Sequence, residues 1–170
     1  MESRVKLFGH AIHPILIVFP LGLLSTAVIF DIIYLLTGNT SFTSASFWNI
    51  AAGVLGGLIA AVFGLLDWLA IPASTRARQI GLLHGGGNVV VVVLFAISWL
   101  LRAGAPDYAP VAFVVPLVLE LLGAALAGVT GWLGGELVER LGVGVDPGAN
   151  LDAPSSLSGQ PASEQRSRLT

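Results

Sequence analysis

The sequence predicts an all-α integral membrane protein, an up-down-up-down bundle of four transmembrane helices, and three observations lead to this fold class. Apolar residues make up 55% of the 170 residues and charged residues only 11%, whereas soluble domains contain about 25% charged residues. Four apolar runs each approach or exceed the ~20 residues that cross a hydrocarbon core. The links between the runs are short, which makes successive helices antiparallel neighbours.

The four predicted spans lie within one transmembrane domain, residues 8–142. The spans are residues 14–36, 47–71, 80–101 and 111–137, joined by TGNTSFTSAS, PASTRARQ and RAGAPDYAP. The first run is too long for the apolar region of a cleaved signal peptide, so we interpret it as a retained span. Residues 143–170 are rich in Pro, Gly and Ser and lack helical periodicity. For this segment we expect a disordered cytoplasmic tail.

The basic residues near the span ends predict the orientation, because short cytoplasmic loops carry an excess of Lys and Arg. Five of them fall on the side that holds both termini and the second link: Arg4, Lys6, Arg76, Arg78 and Arg140. The opposite side holds Arg102. The pattern therefore predicts that the N and C termini are cytoplasmic, with the lipid bilayer as the first partner of the chain.

Composition also excludes several kinds of chemistry. The chain has no cysteine, so disulfides, thiolate metal sites and cysteine nucleophiles are ruled out. The net charge of -2 gives no argument for nucleic acid as a partner. The sequence contains no catalytic motif and no sign of an activated nucleophile, so it gives no positive argument for an enzyme.

The two halves of the transmembrane domain resemble each other. A histidine stands near the start of the first and third spans, in HAIHP and LLHGGGN, and Gly, Trp and an acid end the second and fourth, in GLLDW and GWLGGE. Small residues at four-residue spacing follow the same pattern: Gly53, Gly57 and Ala61, then Gly123, Ala127 and Gly131. We expect two related hairpins with close helix packing at these ridges, one of which is a candidate homodimer face.

The predicted topology brings six polar residues to the cytoplasmic end of the bundle, since the first and third spans begin there and the other two end there. They are His10, His13, Asp67, His84, Asn88 and Glu136, and they include all three histidines of the chain. An ionisable group at membrane depth costs ~3 kcal/mol and tends to find a partner. Asp67 and His84 match in depth, so we expect this pair first.

Three hypotheses follow for this His/carboxylate cluster. In the first, His13 and His84 hold a b-type haem, with Asn88 on the same helix face as His84. In the second, His13, Asp67, His84 and Glu136 bind a divalent metal, since two imidazoles and two carboxylates suit zinc, iron or manganese. In the third, the cluster is a proton relay or a quinone-head site. The alternative without a binding role is an interfacial polar cap, which satisfies the hydrogen-bonding groups at the helix ends and fixes the register of the helices.

Two further acids lie within the spans. Glu120 is the deepest ionisable group, and we interpret it either as a proton-relay or substrate site or as the acceptor of a structural hydrogen bond from Ser25, Thr26 or another helix. Asp31 lies near the outer end of the first span, where we expect a simple interfacial role.

Three segments carry a resemblance to a bacterial membrane family: GHAIHPILIVFPLGLLSTAVIFD, RQIGLLHGGGNVVVVVLFAISWLLR and GWLGGELVERLGVGV. They resemble the family known as domain of unknown function 2231, over residues 8–146. The resemblance implies four spans and a location in the bacterial cytoplasmic (inner) membrane. Some relatives are fused to Rieske-type iron–sulfur domains, which favours a redox role and a redox partner protein. Four residues match the family pattern: His13, Asp67, His84 and Glu136.

The leading functional hypothesis is therefore the binding of a haem or metal at the His/carboxylate cluster in an electron-transfer setting. The alternative is a structural or partner-binding membrane subunit with no chemistry of its own. A visible spectrum of the purified protein separates the two, because bound haem absorbs in the Soret region.

Overall fold

The computed structural model describes residues 1–103 and 110–164, and for residues 110–112 it describes the backbone course alone. The helices are α1 (Ile12–Leu16), α2 (Val18–Thr37), α3 (Ser41–Ala70), α4 (Arg76–Ala103) and α5 (Pro110–Gly135), which continues as a π-helical turn, Glu136–Arg140. Within the described residues, four helical stretches are long and apolar enough to cross a membrane. This confirms the predicted all-α, four-span fold class.

The four long helices pack in sequence order around a common axis. Helix α2 packs against α3, α3 against α4 and α4 against α5, and a smaller contact between α5 and α2 closes the ring. Helices α2 and α4 therefore lie diagonally across the bundle from each other. The up-down-up-down arrangement is the predicted one, and it follows from links too short to carry the chain across the membrane.

Most large apolar side chains face outward, as expected for a protein whose solvent is lipid. Leu36 is 81% exposed and Trp132 is 68% exposed, and a water-facing surface would not carry a continuous belt of such side chains. The buried apolar core is small, comprising Leu24, Ala27, Val28, Ile50, Val91 and Phe95. Glycines on α3 and α5 make this core possible: a Cβ on Gly53 would come within 2.6 Å of Leu24, and one on Gly123 within 2.8 Å of Phe95.

Two helix boundaries differ from the apolar runs for clear physical reasons. The first span is divided at Ile17, because Pro20 has no N–H to donate to the carbonyl of Leu16. Helix α3 begins at Ser41 rather than at residue 47. Its first turns are rich in Ser and Thr, which favour turns, but here Thr43 and Ser46 are fully buried between helices. Most of the predicted third link lies in residues 104–109, outside the described part.

The chain outside the spans gathers at the end where α3 finishes. Strands β1 (Lys6–Leu7) and β2 (His10–Ala11) form a hairpin whose two turn residues, Phe8 and Gly9, have φ of 51° and 85°, as the common two-residue hairpin turn requires. The prediction for residues 143–170 is disorder. Through residue 164 the structure describes turns and one short 3-10 helix, Ser156–Ser158, and residues 165–170 lie outside the described part.

Candidate functional site

His13 lies on α1 with its ring packed flat against α3. Its Nδ1 donates a hydrogen bond to the carbonyl of Ala60 at 2.9 Å. The ring comes so close to the helix because residue 64 is glycine: a Cβ there would lie 2.8 Å from the His13 Cε1 atom. The position and orientation of the imidazole are thus fixed by the backbone of the neighbouring helix.

His84 repeats this arrangement in the second half of the chain. Its Nδ1 donates to the carbonyl of Thr130 on α5 at 2.8 Å. A Cβ on Gly134 would lie 3.1 Å from the His84 Cε1 atom, so a glycine again accommodates the ring. The two hairpins therefore each carry one imidazole in the same way, on helices that face each other across the bundle.

The hydrogen bonds determine the tautomer of both rings. A carbonyl oxygen can only accept, so each Nδ1 carries the hydrogen, and a neutral ring has its lone pair on Nε2. His84 Nε2 lies 3.3 Å from the amide nitrogen of Asn88, whose oxygen accepts from the Thr130 hydroxyl at 2.9 Å. Metal-ligating histidines characteristically donate their second ring N–H in this manner.

The carboxylates do not join the histidines. Asp67 accepts from the Ser3 hydroxyl at 2.7 and 2.9 Å and from the Arg4 backbone N–H at 2.8 Å, so the expected Asp67–His84 pair is not formed. Glu136 pairs with Arg76 at 2.7 Å. Both acids lie near helix ends, where the segment before the first span supplies the donors to Asp67 and the first residue of α4 supplies the donor to Glu136. Across residues 1–103 and 110–164, no group of three or more His, Asp or Glu is placed to hold a metal.

His10 also lies apart from the other two histidines. It belongs to the β-hairpin that precedes α1, and its Nε2 lies 3.2 Å from the Ser156 hydroxyl of the tail. The end of the bundle that holds all three histidines therefore contains His13 and His84, which bond to neighbouring helices, and His10, which contacts the tail.

A second polar cluster, which the sequence did not predict, lies towards the opposite end of the bundle. The guanidinium of Arg102 donates to both carboxylate oxygens of Asp31 and to Glu120 Oε1 at 2.5 Å. It also lies 3.4 Å from the Ser46 hydroxyl, and Ser98 donates to Glu120 Oε1 at 2.5 Å. The side chains come from all four long helices. Arg102 is 3% exposed, and the other four residues are 0% exposed.

This buried ionic cluster corrects two expectations. Asp31 is not an interfacial acid, and Arg102 is not a loop charge. Glu120 accepts hydrogen bonds from Ser98 and Arg102 on α4, which agrees with the interpretation of a structural hydrogen bond to another helix. The sequence contained a usable signal: two acids and one base interrupt otherwise apolar spans, and charges at membrane depth pair with one another. Arg102 was missed because it ends an apolar run, where a long basic side chain commonly reaches out to the interface.

These features define the chain as a four-span membrane protein with an imidazole pair towards one end of the bundle and a buried ionic cluster towards the other end. A family model described as "Predicted membrane protein (DUF2231)" matches residues 9–147. The chain belongs to this family, which is also the one its sequence resembles. No curated protein matches the chain, and no solved structure does.

Proposed function

We propose that this protein binds a haem or a metal ion between His13 and His84 and works in an electron-transfer setting in the bacterial inner membrane. The observation that carries the proposal is the paired hydrogen bond of the imidazoles. Each Nδ1 donates to a main-chain carbonyl of the next helix, at 2.9 Å for His13 and 2.8 Å for His84. Both rings are thereby held with the hydrogen on Nδ1, which leaves Nε2 as the atom of each ring that could bind a ligand.

The donor set favours a b-type haem over the four-ligand metal site. Asp67 and Glu136 have other partners, which leaves the two imidazoles as the side chains that would hold the group. A haem held by two imidazoles would supply one-electron transfer. The carbonyls of Ala60 and Thr130 orient the two rings. Asn88 contacts His84 Nε2 through its amide nitrogen at 3.3 Å, and it must turn aside for that nitrogen to take a metal.

A structural or partner-binding subunit is the second candidate. It is favoured by what the polar groups at this end already do: Asp67 holds the N-terminal segment, and Glu136 binds Arg76 at the start of α4. The two imidazole bonds also fasten helices together, so they have a structural use without any cofactor. In this alternative, a redox protein or a second copy of the chain would be the natural partner.

The visible spectrum of the detergent-purified protein, expressed with excess haem precursor, tests the proposal. We expect a Soret band in the unaltered protein that is lost in His13→Ala and in His84→Ala. His10→Ala is the matched control and should keep the band, because His10 faces the tail. The helical circular dichroism signal of each variant reports whether it has folded.

The absence of both a Soret band and any stoichiometric metal in the unaltered protein would contradict the proposal and favour the structural candidate. A stoichiometric metal without a Soret band would show that a metal ion, rather than a haem, binds at the same imidazoles. Retention of full cofactor occupancy in a folded His84→Ala protein would remove His84 from the site.

A further inference from the structure

The buried ionic cluster contains three ionisable side chains, Asp31, Arg102 and Glu120, and their charges do not balance. Two carboxyl groups face one guanidinium, so the fully ionised cluster would carry one net negative charge. All three side chains are at most 3% exposed, in a protein whose surroundings are lipid. An uncompensated charge at this depth is costly, and buried ionisable groups usually neutralise rather than bear that cost.

No other described side chain balances this charge. Helix α3 faces the cluster with Ser46, and its one ionisable residue, Asp67, lies at the opposite end of the helix. Helix α4 contributes Ser98 and Arg102, and α5 contributes Glu120. Beyond Asp31 on α2, Tyr34 packs its ring against Phe113, over which the Arg102 guanidinium also lies, at 5.4 Å. A tyrosine hydroxyl adds no positive charge.

The hydrogen bonds of Glu120 point to the position of a missing proton. Its Oε1 atom accepts from both Ser98 and Arg102. Its Oε2 atom is fully buried and receives no hydrogen bond from any described residue, and the Asp31 and Glu120 carboxylates both accept from the same nitrogen atom of Arg102, Nη2. Two carboxylate oxygens repel unless one of them carries a proton, which then serves as the donor between them.

We propose that Asp31 and Glu120 form a proton-binding site, in which one exchangeable proton is shared between the two carboxyls and makes the cluster with Arg102 electrically neutral. The ligand is a proton delivered by water, and no other group is consumed or released. A purely structural ion pair would need one acid for one base. The second acid gives the bundle a group that can take up and release a proton within the membrane, and this site is independent of the imidazole pair.

Infrared spectroscopy of the full-length protein in membranes tests this site. At neutral pH we expect the C=O band of one protonated carboxyl group, which shifts to lower frequency after exchange into D2O. Glu120→Gln should lose the band, because Asp31 alone then balances Arg102. Asp31→Asn should lose it for the same reason, since Glu120 then ionises beside the guanidinium. Loss of the band in both single variants shows that the proton is bound only when both acids are present beside Arg102.

The control is Glu136→Gln, which removes an acid that pairs with Arg76 outside the cluster and should leave the band unchanged. Both cluster variants keep a hydrogen-bonding side chain of the same shape, and the helical amide band reports their fold. The proposal is overturned if the unaltered protein has no protonated carboxyl band, if the band does not respond to D2O, or if a folded Asp31→Asn protein retains it. If neither cluster variant folds, the D2O-sensitive band of the unaltered protein decides the matter.

Discussion

At the scale of single residues, the sequence identified the histidines but not their partners. His13 and His84 stood out because a polar ring in an apolar span is unusual, and their shared end followed from the topology. Their actual partners are the carbonyls of Ala60 and Thr130, and every residue has a carbonyl, so no side-chain pattern could reveal them. Asp67 was assigned to the wrong partner because its donors lie in a segment before the first span.

The glycine beneath each imidazole offers a residue-scale prediction. In Gly64→Ala the new Cβ would lie 2.8 Å from the His13 Cε1 atom, so the ring must move away from Ala60. Alanine favours a helix over glycine by ~1 kcal/mol, but overpacking costs about 1–3 kcal/mol. We expect a net loss of stability in thermal unfolding, together with reduced occupancy of any cofactor at the imidazole pair.

Gly128→Ala is the matched control for this substitution. It lies on α5, and a Cβ there would meet nothing within 4 Å. It should therefore gain the helix preference without a clash and leave the protein equally stable or slightly more stable. Equal melting temperatures for the two variants would mean that the ring of His13 is not held against Gly64.

At the scale of helices and segments, the apolar runs predicted the spans because lipid imposes a simple length requirement. The ends of the helices were harder to predict. The early start of α3 at Ser41 depends on buried Thr43 and Ser46, and their burial depends on helices that are distant in sequence. The N-terminal segment and the tail have no apolar periodicity, so their mutual contacts could not be inferred from composition.

One ion pair joins these two terminal segments and gives a prediction with a defined pH dependence. Hydrogen bonds from the Lys6 ammonium to Asp146, and then to Glu2, raise the pKa of Lys6 above its ordinary value. A base whose pKa is raised on folding contributes stability that is fully present below its unfolded pKa. This contribution disappears as the pH rises through the higher, folded pKa. The contribution of the Lys6 ammonium is therefore present at neutral pH, and on the alkaline side it is lost only in strongly alkaline solution.

The Lys6–Asp146 ion pair can be tested by hydrogen exchange of the Gly144 backbone amide, which donates to the Met1 carbonyl at 2.8 Å. Lys6→Gln should accelerate the exchange at neutral pH by up to ~5-fold, because a partly exposed ion pair contributes up to ~1 kcal/mol. Lys6→Arg should preserve the protection and extend it to higher pH, since arginine stays protonated. Unchanged exchange in Lys6→Gln would show that the ion pair does not hold the tail.

At the scale of the whole molecule, the structure strengthens the charge argument for orientation. Arg102 was the one basic residue assigned to the outer side, and it is buried within the bundle. The remaining Lys and Arg of the described chain all lie at the opposite end: Arg4, Lys6, Arg76, Arg78 and Arg140. The bundle itself was predictable from the sequence because lipid and short links leave few alternatives. The buried ionic cluster could not be predicted from the sequence, since it depends on how the four helices are rotated about their axes.

Reporter fusions test the orientation that this charge distribution predicts. Thr40 lies between α2 and α3, and Ser74 lies between α3 and α4. A phosphatase that is active only outside the cytoplasm should be active when fused at Thr40 and inactive at Ser74, and a reporter that folds only in the cytoplasm should give the reverse. Arg102→Gln should leave this pattern unchanged, because a buried guanidinium is not a loop charge. The opposite pattern at both sites would show that the protein has the inverted orientation, with the imidazole pair towards the outside and the buried ionic cluster towards the cytoplasm.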